Sequence, residues 1–107
     1  MADTGEDWVA VARSDEIDVD DAKQVKVNGL CIALFNVAGK FYATSDICTH
    51  AHAFLTEGYV QDGTVECPLH QGVFDIVTGK ALRPPVTENL KTYPLRLDGE
   101  SILIKIN

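Results

Sequence analysis

A chain of 107 residues fits one domain and leaves little room for a second. Apolar residues at 46% and charged residues at 23% suit a globular chain with a modest core, and no apolar run approaches the ~20 residues that span a bilayer. A formal net charge of −7 argues against nucleic acid or an anionic membrane as the main partner, because both require a basic face.

The first ten residues, MADTGEDWVA, are acidic and lack the basic and apolar regions of a secretory leader, so the cytoplasm is the expected location. Asp3, Glu6, Asp7, Asp15, Glu16, Asp18, Asp20 and Asp21 face Arg13 alone in this part of the chain. Such a run reads as a solvated face, and it permits steering toward a basic protein surface.

From residue 8 onward, short strand-like runs alternate with turn signals. Residues 8–12 are apolar. Residues 24–27 alternate and meet Asn28-Gly29, a strong hairpin signal. The run LCIALF at 30–35 is continuously apolar, which suits a strand buried on both faces. A turn at 36–40 leads to a strand at 41–44, and further strands are expected at 64–66, 73–77, 91–97 and 101–106. Turns fall at 61–63, 78–80 and 98–100. This regular spacing, without a long helical period, predicts an all-β sandwich or barrel. Two stretches break the pattern. Residues 45–59 show no clean period, and residues 82–89 contain Pro84-Pro85, which stiffens an extended loop.

The first of these stretches holds Cys48, His50 and His52; Cys67 and His70 follow in VECPLHQGVFD. All three histidines and two of the three cysteines therefore sit in two short segments. Three cysteines cannot all pair with one another, and in an acidic chain expected in the cytoplasm they suggest a metal site rather than a disulfide scaffold. Sixteen residues separate His50 from Cys67, with Gly58 and Gly63 allowing the chain to turn back. Two loops can then face each other, each with one thiolate and one imidazole. Tetrahedral zinc accepts such a set, and so does a [2Fe–2S] cluster with two cysteines on one iron and two histidines on the other. Zinc sites of this composition usually draw both cysteines from one loop and both histidines from another. The crossed arrangement here suits a two-iron core that each loop can feed at both ends.

CTH, sixteen residues, then CPLH, followed by GVFD and TGKA, resembles the Rieske iron–sulfur family. Length and the later double proline resemble the small Rieske ferredoxins of bacterial aromatic-ring-hydroxylating dioxygenase systems, over essentially the entire chain. The resemblance implies an antiparallel β base, at about 1–44 and 75–107, carrying a small cluster-binding subdomain at about 45–74. It implies Cys48 and Cys67 on the buried iron and His50 and His70 on the outer, reducible one, with the Pro84-Pro85 segment covering the cluster. It also implies a one-electron carrier, not an enzyme. The carrier would take electrons from an NAD(P)H-dependent flavin reductase and pass them to a terminal oxygenase through transient contacts near His50, His70 and that loop. Two other readings use the same residues: a small Rieske subunit of another redox complex, such as a nitrite-reductase-like enzyme, and a zinc-stabilised interaction module.

Charge arithmetic fits an electron carrier. Two Fe³⁺, two sulfides and two thiolates sum to zero, and neutral imidazoles leave that unchanged, so one electron brings the total only to −1. Four thiolates would begin at −2 and hold the potential lower. High-potential members of the family carry two extra cysteines and two hydroxyls near the sulfurs. Here the matching positions are Ala53, Leu69, Gly72 and Phe74, so a potential low in the family range is expected. His52 reads as a polar loop residue, Cys31 as a small buried hydrophobe, and Asp75 as a turn or surface carboxylate.

Overall fold

A computed structural model describes residues 8–49, 53–69, 71–84 and 86–106. Eleven strands appear among them: β1 (Trp8–Arg13), β2 (Ala22–Val27), β3 (Leu30–Val37), β4 (Lys40–Ser45), β5 (Tyr59–Gln61), β6 (Thr64–Glu66), β7 (Val73–Asp75), β8 (Ala81–Arg83), β9 (Thr92–Tyr93), β10 (Leu95–Asp98) and β11 (Ser101–Lys105). Two single-turn 3₁₀ helices, Ser14–Glu16 and Leu55–Glu57, complete the set. No helix among the described residues is long and apolar enough to cross a membrane.

The strands form three antiparallel sheets, ordered β1-β11-β10, β2-β3-β4-β9 and β5-β6-β7-β8. The expected all-β, antiparallel architecture is the one observed. Local turn chemistry explains the hairpins. Asn28-Gly29, Ala38-Gly39 and Asp62-Gly63 all place both residues at positive φ, the mirror-image turn whose twist matches two antiparallel strands.

The run at 30–35 is buried on both faces for a structural reason. Ile32 and Leu34 belong to one core cluster, with Val27, Ile102 and Ile104 from the first two sheets. Ala33 and Phe35 point the other way, into a second cluster with Leu55, Val65, Phe74, Ile76, Val86 and Leu90. Alternate residues of one strand thus wall two cores, which removes the polar-out alternation of a surface strand.

Three expectations need correction. Residues 91–97 do not form one strand. Pro94 divides them into β9, which pairs with β4, and β10, which pairs with β11 in a different sheet. The stretch at 82–89 is not all loop, because β8 enters it as far as Arg83. Cys31 is half-buried and lies in neither core cluster; it stands opposite Lys26 in the β2–β3 ladder, and its carbonyl accepts from the N–H of Asp46.

Candidate metal centre

β4 ends at Ser45, and the next residues are held at every step. Ile47 bridges Phe54, and the Cys48 N–H donates to the Ala53 carbonyl at 3.0 Å. The chain therefore returns on itself between 48 and 53. A second return follows β6, where the Cys67 N–H donates to the Gly72 carbonyl at 2.7 Å. Gln71 closes this turn with φ of 60°, a left-handed conformation at a non-glycine residue. The two returns project from a shared floor of Leu55, Val65 and Phe74, all 0% exposed.

On that floor the structure brings Cys48 and Cys67 together. They are 3% and 1% exposed, both are free thiols, and their side chains are within hydrogen-bonding reach of each other. Burial pushes the Cys67 thiol up to about 11, and the neighbouring Cys48 thiol adds to this. The Leu69 backbone N–H, aimed at the Cys67 sulfur, pulls the other way. Two buried thiols from separate loops, beside each other and not joined as a disulfide, are a donor pair for one metal ion. An N–H already directed at a sulfur suits a thiolate once the proton has gone. The donor set fits the cysteine side of a [2Fe–2S] centre. His50, His52 and His70 lie outside the described residues, as does Pro85.

The metal-free protein should be destabilised at alkaline pH. A thiol whose pKa is raised on folding, here from 9.0 to about 11, holds its proton more tightly in the folded chain. The associated stability is fully present below pH 9 and is lost as pH rises through the folded value. Burial raises Tyr93 in the same direction. Thermal unfolding of metal-free protein between pH 8 and 11 should show a falling Tm, and Cys67→Ala should flatten that fall in part. A rise over this window would contradict the assignment.

A third segment closes over the floor. Val86 and Leu90 are 4% exposed and pack into the same cluster. The Thr49 hydroxyl donates to the Glu88 carbonyl at 2.9 Å, which ties the residue beside Cys48 to this segment. Asn89 accepts from the Ala81 N–H at 2.9 Å, and Leu90 donates to Gly79 at 2.7 Å. Gly72 is needed here because a Cβ would stand 2.5 Å from Val86 Cγ1. The absence of a hydroxyl at position 72 thus has a packing cause. Phe74 lies fully buried beside both cysteines. Asp75 is a turn residue: its carboxylate accepts from the Thr78 N–H at 3.0 Å and hydroxyl at 2.5 Å.

One group at the site carried no sequence signal. Asp46 is 0% exposed, although the chain approaches it between Ser45 and the exposed Ile47. Its partners, Gln24 and Thr56, are 22 and 10 residues away. A single acid in SDIC has no period or motif to identify it.

Comparison with known proteins agrees with this geometry. A family model described as "Rieske [2Fe-2S] domain" matches residues 7–94. The ferredoxin component of the naphthalene 1,2-dioxygenase/salicylate 5-hydroxylase systems of Ralstonia sp is 44% identical over 101 residues, 94% of this chain and 97% of that one. Among solved structures, the ferredoxin of carbazole 1,9a-dioxygenase from Nocardioides aromaticivorans IC177 superposes with a TM-score of 0.89 at 30% identity, covering 94% of this chain and 98% of that one. A chain in a complex of reduced oxygenase and oxidised ferredoxin of carbazole 1,9a-dioxygenase superposes equally well, at 0.89 and 29% identity over 94% of both chains.

Proposed function

This chain belongs to the Rieske [2Fe–2S] family, and from that membership we propose that Cys48 and Cys67 hold the buried iron of its cluster and His50 and His70 the outer one. It is a ferredoxin component of an aromatic dioxygenase system, which moves electrons and leaves the oxygenation to another component. The cluster, when bound, supplies storage for one electron. The protein's residues do the rest. The paired thiols supply the two negative charges that bring the oxidised centre to neutrality. The floor of Leu55, Val65 and Phe74, with Val86 above Gly72, keeps water from the cysteine side. The observation that carries this reading is the side-by-side burial of Cys48 and Cys67 on two returns, each closed by a backbone hydrogen bond.

The same reading takes the base as about 1–44 and 75–107 and the cluster-binding unit as about 45–74, within one cytoplasmic domain. The partners are a flavin-containing, NAD(P)H-dependent reductase and a terminal aromatic-ring-hydroxylating oxygenase, met transiently around His50, His70 and Pro84-Pro85. Exposed apolar side chains adjoin these residues in sequence: Ile47 at 39%, Leu69 at 46% and Leu82 at 50%. Two described acids of the N-terminal run, Asp20 and Asp21, lie elsewhere. Asp20 and Asp21 pair with Asn36 at one end of β3, whereas Asp46 bonds Cys31 at the other. Five strand steps, about 17 Å, separate these ends, beyond the ~10 Å screening length at 0.1 M salt. Contact at the cluster then rests mainly on these apolar side chains, with the charge of Asp20 and Asp21 too distant to steer it at moderate salt.

Reconstitution tests this function. Purified protein should pass electrons from a flavin reductase to an aromatic-ring oxygenase, with a midpoint low in the roughly −150 to +300 mV range of such centres. The transfer rate should change little between low and moderate salt. A zinc-loaded, colourless product from iron-replete expression would overturn the assignment, and a steep salt dependence would overturn the apolar contact.

A further inference from the structure

Asp46 lies at 0% exposure with three donors converging on its carboxylate. The Thr56 N–H reaches Oδ1 at 2.8 Å, the Thr56 hydroxyl reaches Oδ2 at 2.9 Å, and Gln24 Nε2 reaches Oδ2 at 2.6 Å. Its own backbone spans two elements: the N–H donates to Cys31 at 3.0 Å and the carbonyl accepts from Leu55 at 2.8 Å. Every partner on the carboxylate among the described residues is a neutral donor. Among the described residues, no lysine or arginine pairs with it. Dipoles stabilise a buried carboxylate but leave its unit charge in place, so its field reaches the surroundings through a medium that screens poorly.

The surroundings include Cys48. Asp46 and Cys48 are inward and buried, with the exposed Ile47 between them. That alternation is the one an extended chain imposes, and it puts residues i and i+2 on one side about 7 Å apart. A structural network alone could be built with a neutral amide, since asparagine and glutamine accept and donate in the same places. A buried, cation-free carboxylate carries a desolvation cost that an amide avoids.

We propose that Asp46 is a positioning residue with an electrostatic role: buried and held through three donors by Gln24 and Thr56, it fixes the Cys48 return and presents a carboxylate whose field lowers the reduction potential of the cluster. This rests on the reading that Cys48 is a ligand. The cluster would lie beyond the Cys48 backbone, and at roughly 12 Å and an effective dielectric of about 20, removing a unit charge changes a one-electron equilibrium by about tenfold. Asp46→Asn removes the charge and keeps the shape, because the Gln24 amide can rotate to present its oxygen and the Thr56 hydroxyl can accept.

The test is protein-film voltammetry on cluster-loaded protein, with the visible spectrum of each variant checked first. Asp46→Asn should raise the midpoint by about tenfold in the reduction equilibrium, which is about 59 mV for one electron. Gln24→Lys reaches the same end without touching Asp46. It sets an ammonium beside the carboxylate from a half-buried position, and should also raise the midpoint, while Gln24→Met, uncharged and of similar length, should not. An unchanged midpoint in Asp46→Asn with the cluster intact overturns the proposal, as does an equal rise in Gln24→Met, which would make the effect one of loosened packing. If Asp46→Asn fails to fold, the lysine and methionine pair decides alone. Wild-type protein without iron–sulfur absorbance would instead overturn the ligand assignment at Cys48, and this proposal with it.

Discussion

Cys48→Ser and Cys67→Ser proteins should purify colourless, whereas Cys31→Ser protein should be brown like the wild type. The three cysteines are chemically alike, and their positions separate them. Cys48 and Cys67 share one buried core cluster, 3% and 1% exposed, with no other thiol among its described residues. A serine hydroxyl is far harder to deprotonate than a thiol and is a poor ligand for iron. One substitution leaves one thiolate where the buried iron needs two. Cluster loading, read as iron and acid-labile sulfide per chain, should fall from two of each to essentially none. Each variant also buries a hydroxyl among Leu55, Val65 and Phe74, where a donor has few acceptors, so the metal-free fold should lose about 1–3 kcal/mol. Cys31 is half-buried, and its side chain belongs to neither core cluster, so serine there should cost less than about 1 kcal/mol and leave iron content unchanged. Full iron content in Cys67→Ser would contradict the ligand assignment. Loss of iron in Cys31→Ser would mean that the third cysteine had been wrongly set aside.

Gly58→Ala should be the most destabilising single methyl in the protein. Gly58 follows the 3₁₀ turn Leu55–Glu57, and its N–H donates to Leu55 at 2.8 Å. A Cβ at this position would stand 2.0 Å from the Glu66 carbonyl oxygen and 3.2 Å from the Leu55 oxygen. Neither atom belongs to a flexible side chain. Glu66 pairs with Tyr59 on one side and Val73 on the other, so it cannot withdraw without parting β5, β6 and β7. Overpacking a core typically costs 1–3 kcal/mol, and a clash with fixed backbone belongs at or above the top of that range, about 3 kcal/mol or more. At ~4–8 °C per kcal/mol for a domain near this size, Tm should fall by at least about 12 °C. Gly99→Ala is the control. Gly99 has φ of +61° and open space around its Cβ direction, so alanine there bears only the left-handed backbone cost of about 1 kcal/mol. Comparable Tm losses in the two variants would remove the steric argument at Gly58.

What could be read from the sequence was whatever depends on near neighbours. The hairpin at Asn28-Gly29 follows from two residues, and the double-faced burial of β3 follows from six consecutive apolar ones. The ligand spacing is equally local, so the sequence alone marks Cys48 and Cys67. Features decided by distant pairing stayed hidden. β5 and β8 are three residues each and pair along β6 and β7, so their strand character comes from those edges rather than from their own residues. Pro94 splits β9 from β10 because the chain changes sheets there, a choice set by β4 and β11 rather than by residues 91–97. Burial of Asp46 depends on Gln24 and Thr56, neither of which is near it in the chain. Cys31 read as core because it sits in an apolar run, but the buried part of β3 begins one residue later, at Ile32.

The double life of β3 bears on how the protein comes apart. Partial opening normally releases the element with the least buried surface while the remainder holds. Here Ala33 and Phe35 cannot leave the cluster-side core without carrying Ile32 and Leu34 out of the other. A half-open form that sheds iron while keeping an intact base is therefore disfavoured. Amide exchange at residues 32–35 should proceed only through global unfolding, with the slowest rates in the chain. Iron release from the oxidised protein should then track the global unfolding rate across denaturant concentrations, so that the lifetime of the carrier and the lifetime of its cargo site become one quantity.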